Sequence, residues 1–262
     1  MSRSARPGAA FRVRVRALAV AVLVLAAHAR CAGETPSVPD AGPPATLAGT
    51  GDGVLFIGNS LTQANDLPLR VADLARDAGT ALDVSAVVAP GFSLEDHLAS
   101  GEAAARLRAR RWSVVVLQQG PSTLPESRDA LVRDAQRFAA LARAAGARPA
   151  LLVVWPLPGQ RQADVSASYR AAAQAVDGIV LPAGDAWQQA LARDHSLRLT
   201  VSDGFHPTPL GTYLAALAIH CALNARLPPA VLATDAQRAG VTLTAEQDRL
   251  LRESACAPAA TP

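Results

Sequence analysis

Five short apolar runs, most of them separated by segments of helical periodicity, constrain this 262-residue chain more than any other feature. They are Val54-Leu55-Phe56-Ile57, residues 82–88, Ser113-Val114-Val115-Val116-Leu117, residues 150–155 and Gly178-Ile179-Val180-Leu181. The runs are continuously apolar instead of alternating, as strands are when both faces of a parallel sheet are covered. Helical periodicity marks residues 67–78, 128–145, 163–176, 184–193 and 208–225. Asp66-Leu67-Pro68 and Thr208-Pro209 supply a cap residue with a proline in the first turn, and Gly146 supplies a stop. This alternation predicts an α/β domain over residues 52–226, a three-layer α/β/α sandwich on a mostly parallel five-stranded sheet, without internal repeats. Residues 227–262 are expected as a C-terminal extension with one helix, opened by the capping-box pattern Thr244-Ala245-Glu246-Gln247, and a frayed tail.

Charge is distributed unevenly. The formal charge is +3 and all 25 cationic residues are arginine. Without lysine there is no Schiff-base amine, no pyridoxal-phosphate anchor and no P-loop GK[ST]. Arg3, Arg6, Arg12, Arg14 and Arg16 precede the apolar run Ala17–Ala27, which ends in Ala27-His28-Ala29, an A-x-A cleavage pattern. That arrangement predicts a signal peptide over residues 1–29, too short in its apolar part for the roughly 20 residues a membrane span needs. Removing it leaves 20 arginines against 22 acids, so the basic character belongs to the export segment and nucleic-acid binding is not expected. The expected location is periplasmic or secreted. Cys31 stands where a lipidated cysteine would, although His28-Ala29-Arg30 fits that use poorly. A Pro/Gly/Ala-rich linker is expected over residues 30–51. Cys221 and Cys256 would meet an oxidising compartment together, so they form either a disulfide or, for Cys221, a buried helix position.

Ligands of open α/β sheets bind beyond the carboxyl ends of the strands, where three loops carry polar groups. Ser60, in Gly58-Asn59-Ser60-Leu61-Thr62, stands where a turn enters a helix; such a serine either caps the helix or presents a nucleophile. Gly91, in Ala89-Pro90-Gly91-Phe92-Ser93, is either an ordinary turn residue or one whose amide faces a developing oxyanion. Gln118 and Gln119 place two side-chain amides at the end of the third run. Near the far end of the chain, Asp203 and His206 lie three residues apart, a spacing that lets a carboxylate hold imidazole Nδ1 and leave Nε2 to accept a proton. His97, His195 and His220 form no metal-ligand spacing, and H-E-x-x-H, C-x-x-C and G-x-G-x-x-G are all absent, so neither metal nor cofactor is expected. Trp155, at the end of the fourth run, is a candidate substrate wall or a core-edge residue.

Together these pieces resemble the SGNH, or GDSL-type, esterase/lipase superfamily. Ile57-Gly58-Asn59-Ser60-Leu61 is similar to its first block in the G-N-S-L variant, Gly91 falls where the second block's glycine belongs, and Asp203-Gly204-Phe205-His206-Pro207 is similar to the D-x-x-H-P block. The resemblance covers about residues 54–225. The third block departs from it, with Gln118-Gln119-Gly120 where Gly-x-Asn-Asp is usual. The resemblance implies a flavodoxin-like fold and a serine esterase with Ser60 as nucleophile, His206 as base and Asp203 orienting it. It also implies an oxyanion hole made by the amides of Ser60 and Gly91 with a side chain of Gln118 or Gln119. The implied substrate is a small-molecule or glycan ester with a short acyl group, and acyl transfer or a degenerate envelope-binding module are the competing readings.

Overall fold

Every residue of strand β1 (Gly53–Gly58) is buried, and so are Val114–Leu117 of β3 (Trp112–Leu117). They lie side by side inside a five-stranded, all-parallel sheet in the computed structural model, which describes residues 53–224 and 240–257. The spatial order is β2 (Val84–Val88), β1, β3, β4 (Arg148–Leu152), β5 (Ile179–Leu181). Ile57 pairs with Leu117 and Leu117 with Leu151, so the apolar runs are in register across the middle of the sheet. The expected signal segment, the linker with Cys31 and residues 225–239 lie outside the described residues.

Helices cover both faces. On one lie α2 (Leu67–Asp77), α7 (Ala183–Arg193), α8 (Pro209–Asn224) and α9 (Ala245–Cys256); on the other lie α3 (Leu94–Ser100), α4 (Glu102–Ala109), α5 (Pro125–Ala144) and α6 (Gln162–Ala175). Helix α8 is buried almost all round, which a helix can be only when a further layer covers it. That layer is α9, which opens on the expected Thr244/Gln247 capping box and packs on α7 and α8. Cys221 on α8 and Cys256 at the end of α9 are joined by a disulfide, with Cα atoms 5.5 Å apart.

Several boundaries differ from the sequence expectation. The fourth strand ends at Leu152 instead of 155, opposite Leu181 where its partner β5 ends; beyond it the Val154 carbonyl accepts from the Gln162 side chain at 3.1 Å. Asp66 holds the N-cap position of α2 with Pro68 in the first turn, as expected, but it and Asn65 both adopt left-handed backbone and its side chain makes no cap bond. Helix α5 begins three residues early, with Pro125 in its first turn and the Ser127 hydroxyl accepting the Leu124 N–H at 3.1 Å. Helices α3 and α4 fall in a stretch for which no element was expected.

Candidate active site

From β1 the chain moves to the flanking strand β2, whereas from β3 it moves the other way to β4. The crevice where connections diverge is where an open α/β sheet offers room for a ligand. Across it the two strand ends are tied by a pair of amides. The Asn59 N–H donates to Gln118 Oε1 at 2.9 Å, and Gln118 Nε2 donates back to Asn59 Oδ1 at 3.0 Å. The same Asn59 oxygen caps the short helix α1 (Ser60–Gln63) by accepting from the Leu61 N–H at 3.1 Å. Ser60 is therefore the first residue of that helix, where its own N–H has no intrahelical acceptor. A Cβ on Gly58 would come within 2.5 Å of both Gln118 Oε1 and Thr62 Oγ1, so this approach of strand and turn requires glycine.

Ser60, His206 and Asp203 form one line. Ser60 Oγ lies 2.9 Å from His206 Nε2, and His206 Nδ1 lies 2.6 Å from Asp203 Oδ2. The other carboxylate oxygen accepts the Phe205 N–H at 2.8 Å and the His206 N–H at 2.9 Å. The Phe205 N–H, then the His206 ring and the His206 N–H, hold the Asp203 carboxyl down to about 2, so it is ionised across the working pH range. The side chains of His206 and Asp203 remain 43% and 46% exposed, so main-chain donors instead of burial fix this carboxylate. With Nδ1–H directed at an ionised carboxylate, Nε2 is free to take the Ser60 proton, and the imidazolium so formed faces a negative charge.

The loop carrying Asp203 and His206 is closed on itself by Val201 N–H donating to the His206 carbonyl at 2.9 Å and by the Thr200–Pro207 bridge. Asn65 ties it to the nucleophile segment: its Nδ2 donates to the Pro207 carbonyl at 3.0 Å and to Thr212 Oγ1 at 2.9 Å. His97, buried in α3, sets its Nε2 2.8 Å from the Gly58 carbonyl, two residues before Ser60. Neither residue stood out in the sequence. Gly91 occupies the third position of a turn closed by Phe92 N–H to Ala89 O at 3.1 Å, with φ of 76°. Proline then glycine with positive φ makes a type II turn, whose central amide points away from the turn's own hydrogen bond.

Gln118 does not have the donor that the sequence reading allowed it. It is fully buried, its oxygen accepts from Asn59 N–H and Thr62 Oγ1 (2.7 Å), and its nitrogen donates to Asn59 Oδ1 and the Gln119 carbonyl (2.6 Å). All four hydrogen-bonding positions are committed inside the protein. Gln119 donates one amide hydrogen to Ser122 Oγ at 2.9 Å and accepts from the Leu94 N–H at 3.2 Å, which leaves its second hydrogen. Tyr169 of α6 braces this loop by donating to the Gln119 carbonyl at 2.6 Å; burial pushes its hydroxyl pKa well up, so it stays protonated. Trp155 is no wall of an open pocket: it is 3% exposed, and its indole N–H donates to the Phe205 carbonyl at 2.7 Å. Among the described residues no group of three or more His, Cys, Asp or Glu side chains is placed to hold a metal ion.

Comparisons with known proteins agree with the fold. No family model and no curated protein matches the chain. Among solved structures, a candidate SGNH hydrolase from Slackia heliotrinireducens is 27% identical over 68% of this chain and all of its own, with a TM-score of 0.53. A DUF4886 family protein from Bacteroides uniformis is 19% identical, covering 78% of this chain and 93% of its own, with a TM-score of 0.61. An acetyl xylan esterase from Geobacillus stearothermophilus shares the fold at 15% identity, 67% and 95% coverage and a TM-score of 0.54.

Proposed function

We propose that this chain, a member of the SGNH hydrolase superfamily, is an exported serine carboxylic-ester hydrolase that works through an acyl-serine intermediate. The observation that carries the reading is the unbroken line Ser60 Oγ, His206 Nε2, His206 Nδ1, Asp203 Oδ2, with steps of 2.9 and 2.6 Å at the switch point of the sheet. In this mechanism Ser60 attacks the ester carbonyl carbon as His206 takes the serine proton. The carbonyl oxygen becomes an oxyanion held by the N–H groups of Ser60 and Gly91, with the second amide hydrogen of Gln119 as the side-chain donor. Collapse expels the alcohol, which takes its proton from His206. Water, deprotonated by the same imidazole, then releases the acid and restores Ser60.

The half-exposed His206 and Asp203 leave the alcohol side of the ester unconfined, which suits a bulky alcohol such as a glycan carrying small acyl groups. The name of the Geobacillus neighbour, an acetyl xylan esterase, points to the same chemical class by analogy of fold. Export rests on the basic and apolar segment of residues 1–29. The test is labelling by a fluorophosphonate and turnover of p-nitrophenyl acetate, each compared with Ser60→Ala. Loss of both in the variant is expected, and near-normal turnover without Ser60 defeats the proposal. A series of acyl chain lengths and acetylated xylo-oligosaccharides then reads the substrate.

A further inference from the structure

Two tryptophans grip the loop that carries Asp203 and His206. Trp155, just beyond β4, and Trp187, in α7, stack face to face with ring centroids 3.8 Å apart and planes 3° from parallel. Both are 3% exposed. Each indole N–H donates to a main-chain carbonyl of the segment that follows the aspartate: Trp155 to Phe205 at 2.7 Å, and Trp187 to Gly211 at 3.1 Å, in the first turn of α8. The stack is thus a rigid body with one donor on either side of His206.

The two contacts are not equivalent. The Phe205 carbonyl and the His206 N–H belong to one planar trans peptide, so they point in opposite directions and turn together. That N–H donates to Asp203 Oδ1 at 2.9 Å, while Asp203 Oδ2 meets His206 Nδ1 at 2.6 Å. Fixing the carbonyl therefore fixes the direction from which the peptide meets the carboxylate, and through it the approach of Oδ2 to the ring. The site lies half in solvent, and the same Asp203 oxygen also accepts the Phe205 N–H at 2.8 Å. The carboxylate is therefore held by the two peptides on either side of Phe205, of which only the second carries the carbonyl that Trp155 fixes. Building on the acid–base roles proposed for Asp203 and His206, we infer that Trp155 is a positioning residue of the reaction. Its indole N–H, through the Phe205–His206 peptide, holds Asp203 in register with His206 Nδ1. Trp187 supports the stack and the start of α8 but does not touch that peptide.

The experiment compares Trp155→Phe and Trp187→Phe, each of which removes one indole N–H from the stack. For Trp155→Phe, kcat on p-nitrophenyl acetate is expected to fall about tenfold with KM nearly unchanged, as for a misaligned catalytic group. The low-field proton NMR signal of the His206 Nδ1–H is expected to move or broaden. Trp187→Phe is expected to lower Tm to a similar extent while that signal stays in place. Replacement of Trp155 by β-(3-benzothienyl)alanine keeps the shape of the indole and removes its N–H; it must reproduce the Trp155→Phe kinetics, and it decides the matter where Trp155→Phe does not fold. Equal kcat losses in the two phenylalanine variants, or an unmoved Nδ1–H signal at Trp155, overturn the assignment. Ser60→Ala is run beside them: activity without Ser60 defeats the hydrolase reading itself, whereas a dead Ser60→Ala with a normal Trp155→Phe defeats only the positioning role.

Discussion

The Gln118 amide touches Asn59 twice, Thr62 once and the Gln119 carbonyl once, all of them buried around the turn that presents Ser60. Truncation to alanine orphans the Asn59 N–H and the Thr62 hydroxyl, while Asn59 Oδ1 keeps the Leu61 N–H and the Gln119 carbonyl keeps Tyr169. Each orphaned buried group costs about 1–3 kcal/mol. Gln118→Ala is therefore expected to lose about 2–6 kcal/mol of unfolding free energy in urea, together with much of the esterase activity. An oxyanion donor behaves differently: its loss lowers kcat about 10²-fold and leaves stability nearly intact. That second pattern is expected of Gln119→Ala, moderated by the lost bond to Leu94. Urea unfolding and aryl-ester kinetics on the same two variants separate the roles, and a fully stable, slow Gln118→Ala overturns the assignment made here. Ser60, Asp203 and His206, which the fold brings into one hydrogen-bonded line, were marked in the sequence by their resemblance to the G-N-S-L and D-x-x-H-P blocks. Asn65 and His97 were not, since each acts on a main-chain carbonyl, 142 and 39 residues away, that carries no residue-type mark.

Among the elements, α8 and α9 depend on each other. Helix α8 presents Tyr213 and Cys221 to its neighbour, and α9 answers with Arg252, which lies 3.3 Å from the Tyr213 hydroxyl and pairs with Asp248, and with Cys256. Arg193 of α7 pairs with Glu253 to hold the same layer. Closing a loop with 35 residues of separation stabilises the fold by about 4 kcal/mol in the chain-entropy picture. Cys221→Ser combined with Cys256→Ser is expected to lower Tm by several degrees and remove the dependence of Tm on reductant. Turnover at 25 °C is expected to be unchanged, because Cys221 lies roughly 18 Å along α8 from its first residue, by 1.5 Å of rise per residue. An unaltered Tm in the double variant shows the bond to be dispensable. The capping box of α9 could be read from Thr244 and Gln247. The same kind of signal, Ser93 with Asp96, opens α3, yet α3 was missed because its few apolar positions give no helical period to follow.

At the scale of the molecule, the parallel sheet was legible because strands buried on both faces must be continuously apolar. The meeting of Ser60 with His206 across 146 residues follows from sheet order, which residue patterns suggest but do not fix. The response of the whole fold to acid has a second origin, away from the site. His220 is buried in α8; its Nδ1 faces the Asn224 side chain at 3.2 Å, and its Nε2 has no partner among the described residues. Burial first, and the charge of Arg252 second, lower its pKa from 6.5 to about 4. The neutral ring is the form the fold accepts, so the unfolded chain binds the proton more tightly. Stability is complete above about 6.5, falls as the unfolded state takes up its proton, and levels off once pH drops below about 4, a span worth on the order of 3 kcal/mol. Asp203 acts in the same direction but later, between the ordinary carboxylate pKa of 3.8 and about 2. Chemical unfolding measured from pH 7 to 4 is therefore expected to show a declining free energy in the native chain and a much flatter one in His220→Leu. Parallel slopes in the two proteins assign the acid sensitivity to other groups.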